Sequence, residues 1–503
     1  MTETITGTNR SAGPTYQDYL DADSHPVRDI LRAESPMAAG PTLVPVERYF
    51  SKEFHDLEVE KVWKRVWQMA CHEDDIPDVG DHLVYDIADL SFLVVRTAPD
   101  EIKAYWNACL HRGKLLRAHD GKWATDLRCS FHGWCWNLDG TMKEIPCQWD
   151  FPYEEAQPER LALPEVRVGG WHGFVFINPD LDAEPLDDYL GDLADHFTLL
   201  PYERRYKSAH VAKVLRCNWK VAQEAFSEAY HVVATHPQIL EGLADANTKY
   251  DVFGNYSRAI SPTAVPSPHV AGLAPPDLPG LVLFTKLRHP LSGAVYERLD
   301  AGVVQVTARD GRVGTFTDAG ERIDGDIGEA DPNMCDWIGG EQLPDFENFP
   351  VPPWLREPGP DKTVREASGD AGRDALRPVL GDLVDQISDA EICDSIYLTV
   401  FPNWHPWGSF NSIVYRFRPY GSDPDMCSHE CMYFSPFPEG EERPPAAPIH
   451  WLAVDDDWCD APELGMLAKV FNQDVHNMPE VQAGLKTMKQ PYVMFADYGE
   501  TKI

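Results

Sequence analysis

Residues 109–134 read CLHRGKLLRAHDGKWATDLRCSFHGW and contain two short knuckles, Cys109-Leu-His111 and Cys129-Ser-Phe-His132, with seventeen residues between them. The spacing within each knuckle lets both side chains reach one metal group, and Gly113 and Gly133 permit the tight turn that follows. Two thiolates and two imidazoles suit one tetrahedral zinc ion. They equally suit a [2Fe-2S] cluster with both cysteines on one iron and both histidines on the other. The order favours the cluster, because each loop carries one cysteine and one histidine, whereas zinc fingers usually pair Cys with Cys and His with His.

The flanks HRGK and HGWCWNLDG lie between strand-like segments, as two hairpin tips would. HLVYDI, SFLVVRT and EIKAYWNA before and around the first knuckle, and RVGGWHGFVFINP at 167–179, are short β-rich runs bounded by turn residues. They predict a compact all-β domain over residues 64–181. Residues 1–63 read as a lead-in, with a short helix at 24–33 and a longer helical pattern over 46–69, where Phe50, Phe54, Leu57, Val62 and Val66 recur three or four apart. Residues 182–503 read as an α+β domain interrupted by Pro-rich loops that begin at Ser261, Leu343 and Ser435.

Within that second domain stands NWKVAQEAFSEAYHVVATHP, residues 218–237. Read as one helix, it stacks Trp219, Ala222, Phe226, Tyr230 and Val233 into an apolar stripe and leaves Glu224, Glu228 and His231 on the other side. His236 lies five residues beyond His231, so convergence on one metal needs a loosened or ended last turn, which Pro237 favours. Two imidazoles and one distant carboxylate make the facial triad of a non-haem iron(II) site with open positions. A histidine pair at this spacing also fits an ordinary hydrogen-bonded core, so the cysteine–histidine knuckles carry the weight. The carboxylate candidate is Asp474 in PELGMLAKVFNQDVHNMPEVQAGL, beside a helical stripe of Leu464, Leu467, Phe471 and Val475. A carboxylate buried there calls for a cation.

CLHRG with CSFHGW, then NWK and EAYHVVATH, resembles the α (oxygenase) subunit of Rieske non-haem iron oxygenases, the ring-hydroxylating oxygenases, from about residue 62 onward. Respiratory-chain Rieske proteins are a poorer match, since Cys135 and Cys147 are not placed for their extra disulfide. The resemblance implies Cys109 and Cys129 on one cluster iron, His111 and His132 on the other, and a mononuclear iron on His231, His236 and Asp474, the last supported by Gln482-Ala-Gly-Leu485. It makes Glu228 the acid that bridges one subunit's cluster to the next subunit's iron through His132 and His231. That position is more often Asp, and Phe131 stands where Tyr is common. FPNWHPW at 401–407 makes Asn403 a neighbour of the iron, while His405 is expected in packing and Asp455, Asp456 and Asp457 in solvent. The implied fold is a Rieske β domain followed by a START-like antiparallel sheet with helices.

The implied activity is dioxygen-dependent hydroxylation, dihydroxylation first, of an aromatic or bulky apolar substrate. The alternatives are monooxygenation, O- or N-demethylation of a quaternary amine for example, or a non-catalytic Rieske electron carrier. The chain lacks a GxGxxG dinucleotide loop and a plant-type ferredoxin cysteine set, so electrons from NAD(P)H would come through a separate reductase, with or without a ferredoxin. The family's head-to-tail trimer implies a homotrimer or α3β3 assembly. The balance of 44 Lys+Arg against 81 Asp+Glu, a formal charge of -37, disfavours nucleic acid and anionic membrane as partners. The polar first residues, the lack of a long apolar run and eleven scattered cysteines predict a cytoplasmic protein with reduced thiols.

Overall fold

The four β-rich runs become strands of one six-stranded antiparallel sheet, in the order Gln68–His72, Phe174–Asn178, Glu165–Trp171, Glu101–Trp106, Leu90–Ala98, His82–Ile87. The computed structural model describes residues 13–36, 42–151, 158–270, 283–343 and 358–500. Successive side chains of a strand face opposite ways, and Leu90–Ala98 uses both faces. Phe92 and Val94 enter a core with Trp63, Trp219 and Phe471, while Leu93 and Val95 enter a second core with Cys109, Cys129, Trp134 and Trp136. One strand thus joins the knuckles on one side to the second domain on the other. The second knuckle joins Leu127–Arg128 to Cys135–Trp136 in a small three-stranded sheet completed by Met142–Glu144, and the first follows the strand Glu101–Trp106.

The second domain is built on an eight-stranded sheet ordered Lys249–Phe253, Tyr256–Ser261, Ser395–Val400, Trp404–Pro406, Ile413–Pro419, Cys427–Pro436, Arg205–Leu215, His450–Leu452. All its pairings are antiparallel except the last. A separate five-stranded antiparallel sheet packs against the helix Pro332–Gly339. This is the α+β architecture expected from the sequence. Parts of the first two Pro-rich stretches lie outside the described residues.

Two helical expectations are corrected. The pattern over 46–69 is not one helix: it runs as a 3-10 turn Val46–Tyr49, an α-helix Lys52–Glu58 and a π turn Val59–Trp63, and Met69 already lies in the strand Gln68–His72. All five residues of that strand are buried, so sheet pairing and burial override the local period. Residues 218–237 also break, into helix α1, Trp219–Ala225, and the short helix α2, Val232–Thr235. The cause is local. Asn218 caps α1 through the Lys220 N–H, and the Glu228 carboxylate accepts from the backbone N–H groups of Tyr230 and His231 at the entry to α2. Tyr230 therefore leaves the expected stripe and is 69% exposed. The long helix α3, Leu467–Thr487, buries Phe471, Gln473 and Asp474 as its period requires.

The two domains are joined by buried polar contacts. Asn403 accepts from the Met69 N–H at 3.0 Å and donates to the Met69 carbonyl and the Tyr85 hydroxyl. Arg416 donates to the Ala70 carbonyl and pairs with the buried Glu430, which also binds Arg418 and His210. Two arginines and His210 outweigh burial and hold Glu430 well below the usual carboxylate range.

Candidate metal centres

The two knuckles share one backbone design. The Cys109 N–H donates to the Lys114 carbonyl at 2.8 Å and the Gly113 N–H returns to the Cys109 carbonyl at 2.8 Å. In the second, the Cys129 N–H donates to Trp134 at 2.8 Å and the Gly133 N–H to Cys129 at 3.0 Å. Gly113 and Gly133 take φ of 72° and 81°, a left-handed conformation that glycine adopts without strain. The cysteines are buried and the imidazoles sit at the tip, with His111 Nδ1 and His132 Nδ1 3.1 Å apart and the His111 ring stacked on Trp134. A tetrahedral zinc with bonds of 2.0–2.3 Å needs all four donors within roughly 4 Å of one another. Among the described residues the groups with all donor atoms within 4.8 Å of one another are His231–His236–Asp474 and Asp23–His25–Asp389, and the more widely spread knuckle set suits a ligand extended over two irons. All eleven cysteines are free thiols.

The second centre lies where α1, α2 and α3 meet. His231 is the residue before α2 and His236 the residue after it, so both imidazoles project from the ends of one short helix. The Asp474 Oδ1 lies 2.9 Å from His236 Nε2 and 3.6 Å from His231 Nε2. Each far ring nitrogen is held: His231 Nδ1 by the Glu228 carboxylate at 2.6 Å, and His236 Nδ1 by the Gln473 side-chain carbonyl at 2.8 Å. An imidazole whose Nδ1–H is so engaged presents Nε2 as the ligand. The centre is strongly anionic. Burial disfavours a charged His231, yet Glu228 and Asp474 outweigh it and raise His231 to about 9. A cation bound between the rings and Asp474 would supply that neutralisation. A cavity of about 260 Å³ opens beside His231 and Asp474 and is walled by Glu224, Glu228, Phe495 and Glu500.

The residues singled out from the sequence do not all gather here. Asn403 is a staple between the domains, in contact with Met69 and Tyr85, and does not line the cavity. His405 is a satisfied core histidine: its Nε2 accepts from Gln223 at 2.9 Å and its Nδ1 meets Thr399 at 3.1 Å, and burial lowers it to about 3. Asp455 pairs with Arg216 at the surface. Sequence reasoning missed Gln473, which is adjacent to Asp474 on α3, and gave no role to Glu224, which is tied to Arg48 and Tyr49 in the lead-in. The signal available for Gln473 was its place on the buried face, where an uncharged amide needs partners.

Fold and geometry together define two domains, a β domain with two Cys–His knuckles and a helix-and-sheet domain that gathers two histidines and one carboxylate. The comparisons match two segments of the chain. Residues 66–154 match the Rieske [2Fe-2S] domain, and residues 199–279 match the ring hydroxylating alpha subunit (catalytic domain). The biphenyl 2,3-dioxygenase subunit alpha of Rhodococcus jostii (strain RHA1) is 32% identical over 204 residues, 39% of this chain and 44% of that one. The large oxygenase component of the naphthalene 1,2-dioxygenase system of Pseudomonas putida is 33% identical over 196 residues, 38% of this chain and 43% of its own length. The matched part thus spans less than half the length of these relatives. A solved naphthalene 1,2-dioxygenase with indole bound shares the fold at 20% identity, covering 88% of this chain and 80% of that chain with a TM-score of 0.51. Over these two segments the chain is similar to a Rieske [2Fe-2S] domain followed by the catalytic domain of ring-hydroxylating alpha subunits. Among the described residues no helix is long and apolar enough to cross a membrane.

Proposed function

We propose that the chain is the oxygenase component of a multicomponent system that uses dioxygen to hydroxylate, and on an aromatic ring to dihydroxylate, a bulky organic substrate. In this reading residues 1–63 form a lead-in, 64–181 the cluster domain and 182–503 the catalytic domain. The observation that carries it is the convergence of two Nε2 atoms on Asp474 while both Nδ1 atoms are held by Glu228 and Gln473. Cys109, Cys129, His111 and His132 would hold the cluster, and His231, His236 and Asp474 the iron. When bound, the metals supply one-electron transfer and an iron with positions open to oxygen.

The chain's own residues set the conditions for that chemistry. Gln473 fixes the His236 ring, and Glu228 fixes His231 at the edge of the open cavity. In this reading Glu228 would bridge to His132 of a second subunit in a head-to-tail trimer, with or without a β subunit. Phe226 packs on Phe417 and Phe471 in the core from which α1 and α3 carry their site residues. Electrons would come from NAD(P)H through a separate reductase, with or without a ferredoxin.

Iron content is the first test. The oxygenase needs two cluster irons and one mononuclear iron, three per chain, whereas an electron carrier needs two and a zinc protein none. Single turnover of the reduced, iron-loaded protein under labelled dioxygen, with polycyclic hydrocarbons, aromatic acids, methoxy-aromatics and betaines, then assigns the reaction. Two labelled oxygens in one product establish dioxygenation. One label, or release of a methyl as formaldehyde, moves the chain to monooxygenation or demethylation.

A further inference from the structure

The two histidines and the carboxylate of the second centre are not equally reachable. The His231 side chain is 26% exposed, against 3% for His236 and 5% for Asp474. The cavity of about 260 Å³ lies on that open side, and its lining includes His231 and Asp474 but not His236. Among the described residues, an ion arriving from solvent therefore reaches the three donors past His231, through this cavity.

The walls carry one sign of charge. Glu224, Glu228 and Glu500 line the cavity together with Asp474, and among the described residues no lysine or arginine does. Glu224 is balanced from behind, by Arg48 at 3.0 Å and by the Tyr49 hydroxyl at 2.8 Å. Glu228 is engaged with the backbone of Tyr230 and His231 and with His231 Nδ1. Glu500 comes from the tail beyond the strand Tyr492–Met494, which pairs with Leu43–Pro45, and its carboxylate accepts from the Ala496 N–H at 2.6 Å, which fixes it in the wall. Burial, with the charge of Glu228 added to it, raises Glu500 above the usual carboxylate range. A cation in the cavity would reverse that shift. Met478, Val481 and Phe495 supply apolar wall between the acids, and a cleft of one sign with low-dielectric walls focuses the field and speeds the entry of opposite charge.

We propose that this cavity is the loading path for the mononuclear metal and that Glu500 is the carboxylate that draws iron(II) into it, ahead of capture by His231, His236 and Asp474. The inference rests on the reading of those three residues as the iron ligands. It gives a function in metal uptake to a residue that is not itself a ligand.

The test is the rate of iron(II) uptake, without oxygen, by the full chain with its cluster retained and its mononuclear iron stripped, quenched at timed intervals with excess chelator and counted. Glu500→Gln should load about threefold more slowly and Glu500→Lys about tenfold more slowly, with release no faster than from the parent. Uptake by the parent should also slow as the Debye length falls from about 30 Å at about 0.01 M salt to about 8 Å at about 0.15 M, and the gap between parent and Glu500→Lys should narrow. Glu321→Gln removes a charge from the turn between Val313–Thr317 and Arg322–Gly325, on the separate five-stranded sheet, and should load like the parent. Parental uptake rates in both Glu500 variants, faster release at unchanged uptake, or an equal slowing in Glu321→Gln would overturn the proposal. If Glu500→Lys does not fold, Glu500→Gln and the salt dependence of the parent still decide. A third iron taken up at the same rate by all variants refutes the role of Glu500 alone, whereas a parent that takes up no iron beyond its cluster refutes the ligand reading beneath it.

Discussion

Replacing Gln473 by leucine tests whether a neutral amide, and not only the three ligands, sets the iron site. Gln473 is fully buried; its side-chain carbonyl accepts from His236 Nδ1 at 2.8 Å and from the Gln238 amide at 2.7 Å, and its amide donates to the Asn333 carbonyl at 2.9 Å. Leucine fills a similar volume and removes these three bonds and a fourth, from the Gln473 amide to the Gln238 side-chain carbonyl at 3.3 Å. Gln238 is half-buried and can turn to water, which leaves the His236 Nδ1–H and the Asn333 carbonyl as orphans. At about 1–3 kcal/mol for each unmet group, the expected loss of stability is about 2–6 kcal/mol. The larger diagnostic effect is on metal. Without an acceptor at Nδ1 the ring loses its fixed tautomer and orientation, and loss of such a partner weakens metal binding about 10–100-fold. Competition against a graded chelator, with cluster absorbance as an internal reference, measures this directly. Gln473→Glu keeps an acceptor for His236 and should restore most of the affinity. Iron retention by Gln473→Leu equal to that of the parent would refute the argument.

Asp474→Ala should lower iron from three to two per chain with an unchanged cluster spectrum, measured by metal analysis and absorbance. Asn403→Leu should leave iron content intact and cost about 2–5 kcal/mol in urea denaturation, because it strips partners from the Met69 N–H and the Tyr85 hydroxyl inside the domain junction; a loss of iron instead would return Asn403 to the active site. Four buried histidines should make stability rise with pH up to about 6.5, whereas His231, raised to about 9, should make that of the iron-free chain fall from there toward pH 9. Burial lowers His405 and His429 to about 3 and also lowers His196 and His210, so between those values and 6.5 the unfolded chain binds protons that the folded one does not. Each such group contributes a slope of about 1.4 kcal/mol per pH unit, and a flat denaturation midpoint between pH 4.5 and 6.5 would contradict it.

What could be read in the sequence follows the range of the interactions involved. The knuckles were legible because Cys109 with His111, and Cys129 with His132, place their chemistry within a few residues, and the glycine turns are equally local. The strands were legible because alternation and turn residues are written along the chain. Asn403 was misplaced because its partners, Met69 and Tyr85, lie more than 300 positions away, and nothing in FPNWHPW reveals them. Gln473 was missed for the same reason, since its bonds to His236 and Asn333 form only once α3 has docked.

The helix break at 226–231 shows why a local pattern misled where it mattered most. In a continuous α-helix, residues five apart point about 140° from one another, so His231 and His236 could not share a metal across its side. Placing one histidine at each end of a single-turn helix removes that obstacle, and the chain needs a device to start α2 at the right residue. Glu228 is that device: one carboxylate oxygen accepts from the backbone N–H groups of Tyr230 and His231, and the other accepts from His231 Nδ1. The same side chain that ends the expected stripe therefore begins the short helix and orients its first ligand. A pattern of apolar positions reports burial and is silent about a carboxylate that replaces a helical carbonyl, which is why the histidine pair of EAYHVVATH could be singled out while the backbone that brings it together could not.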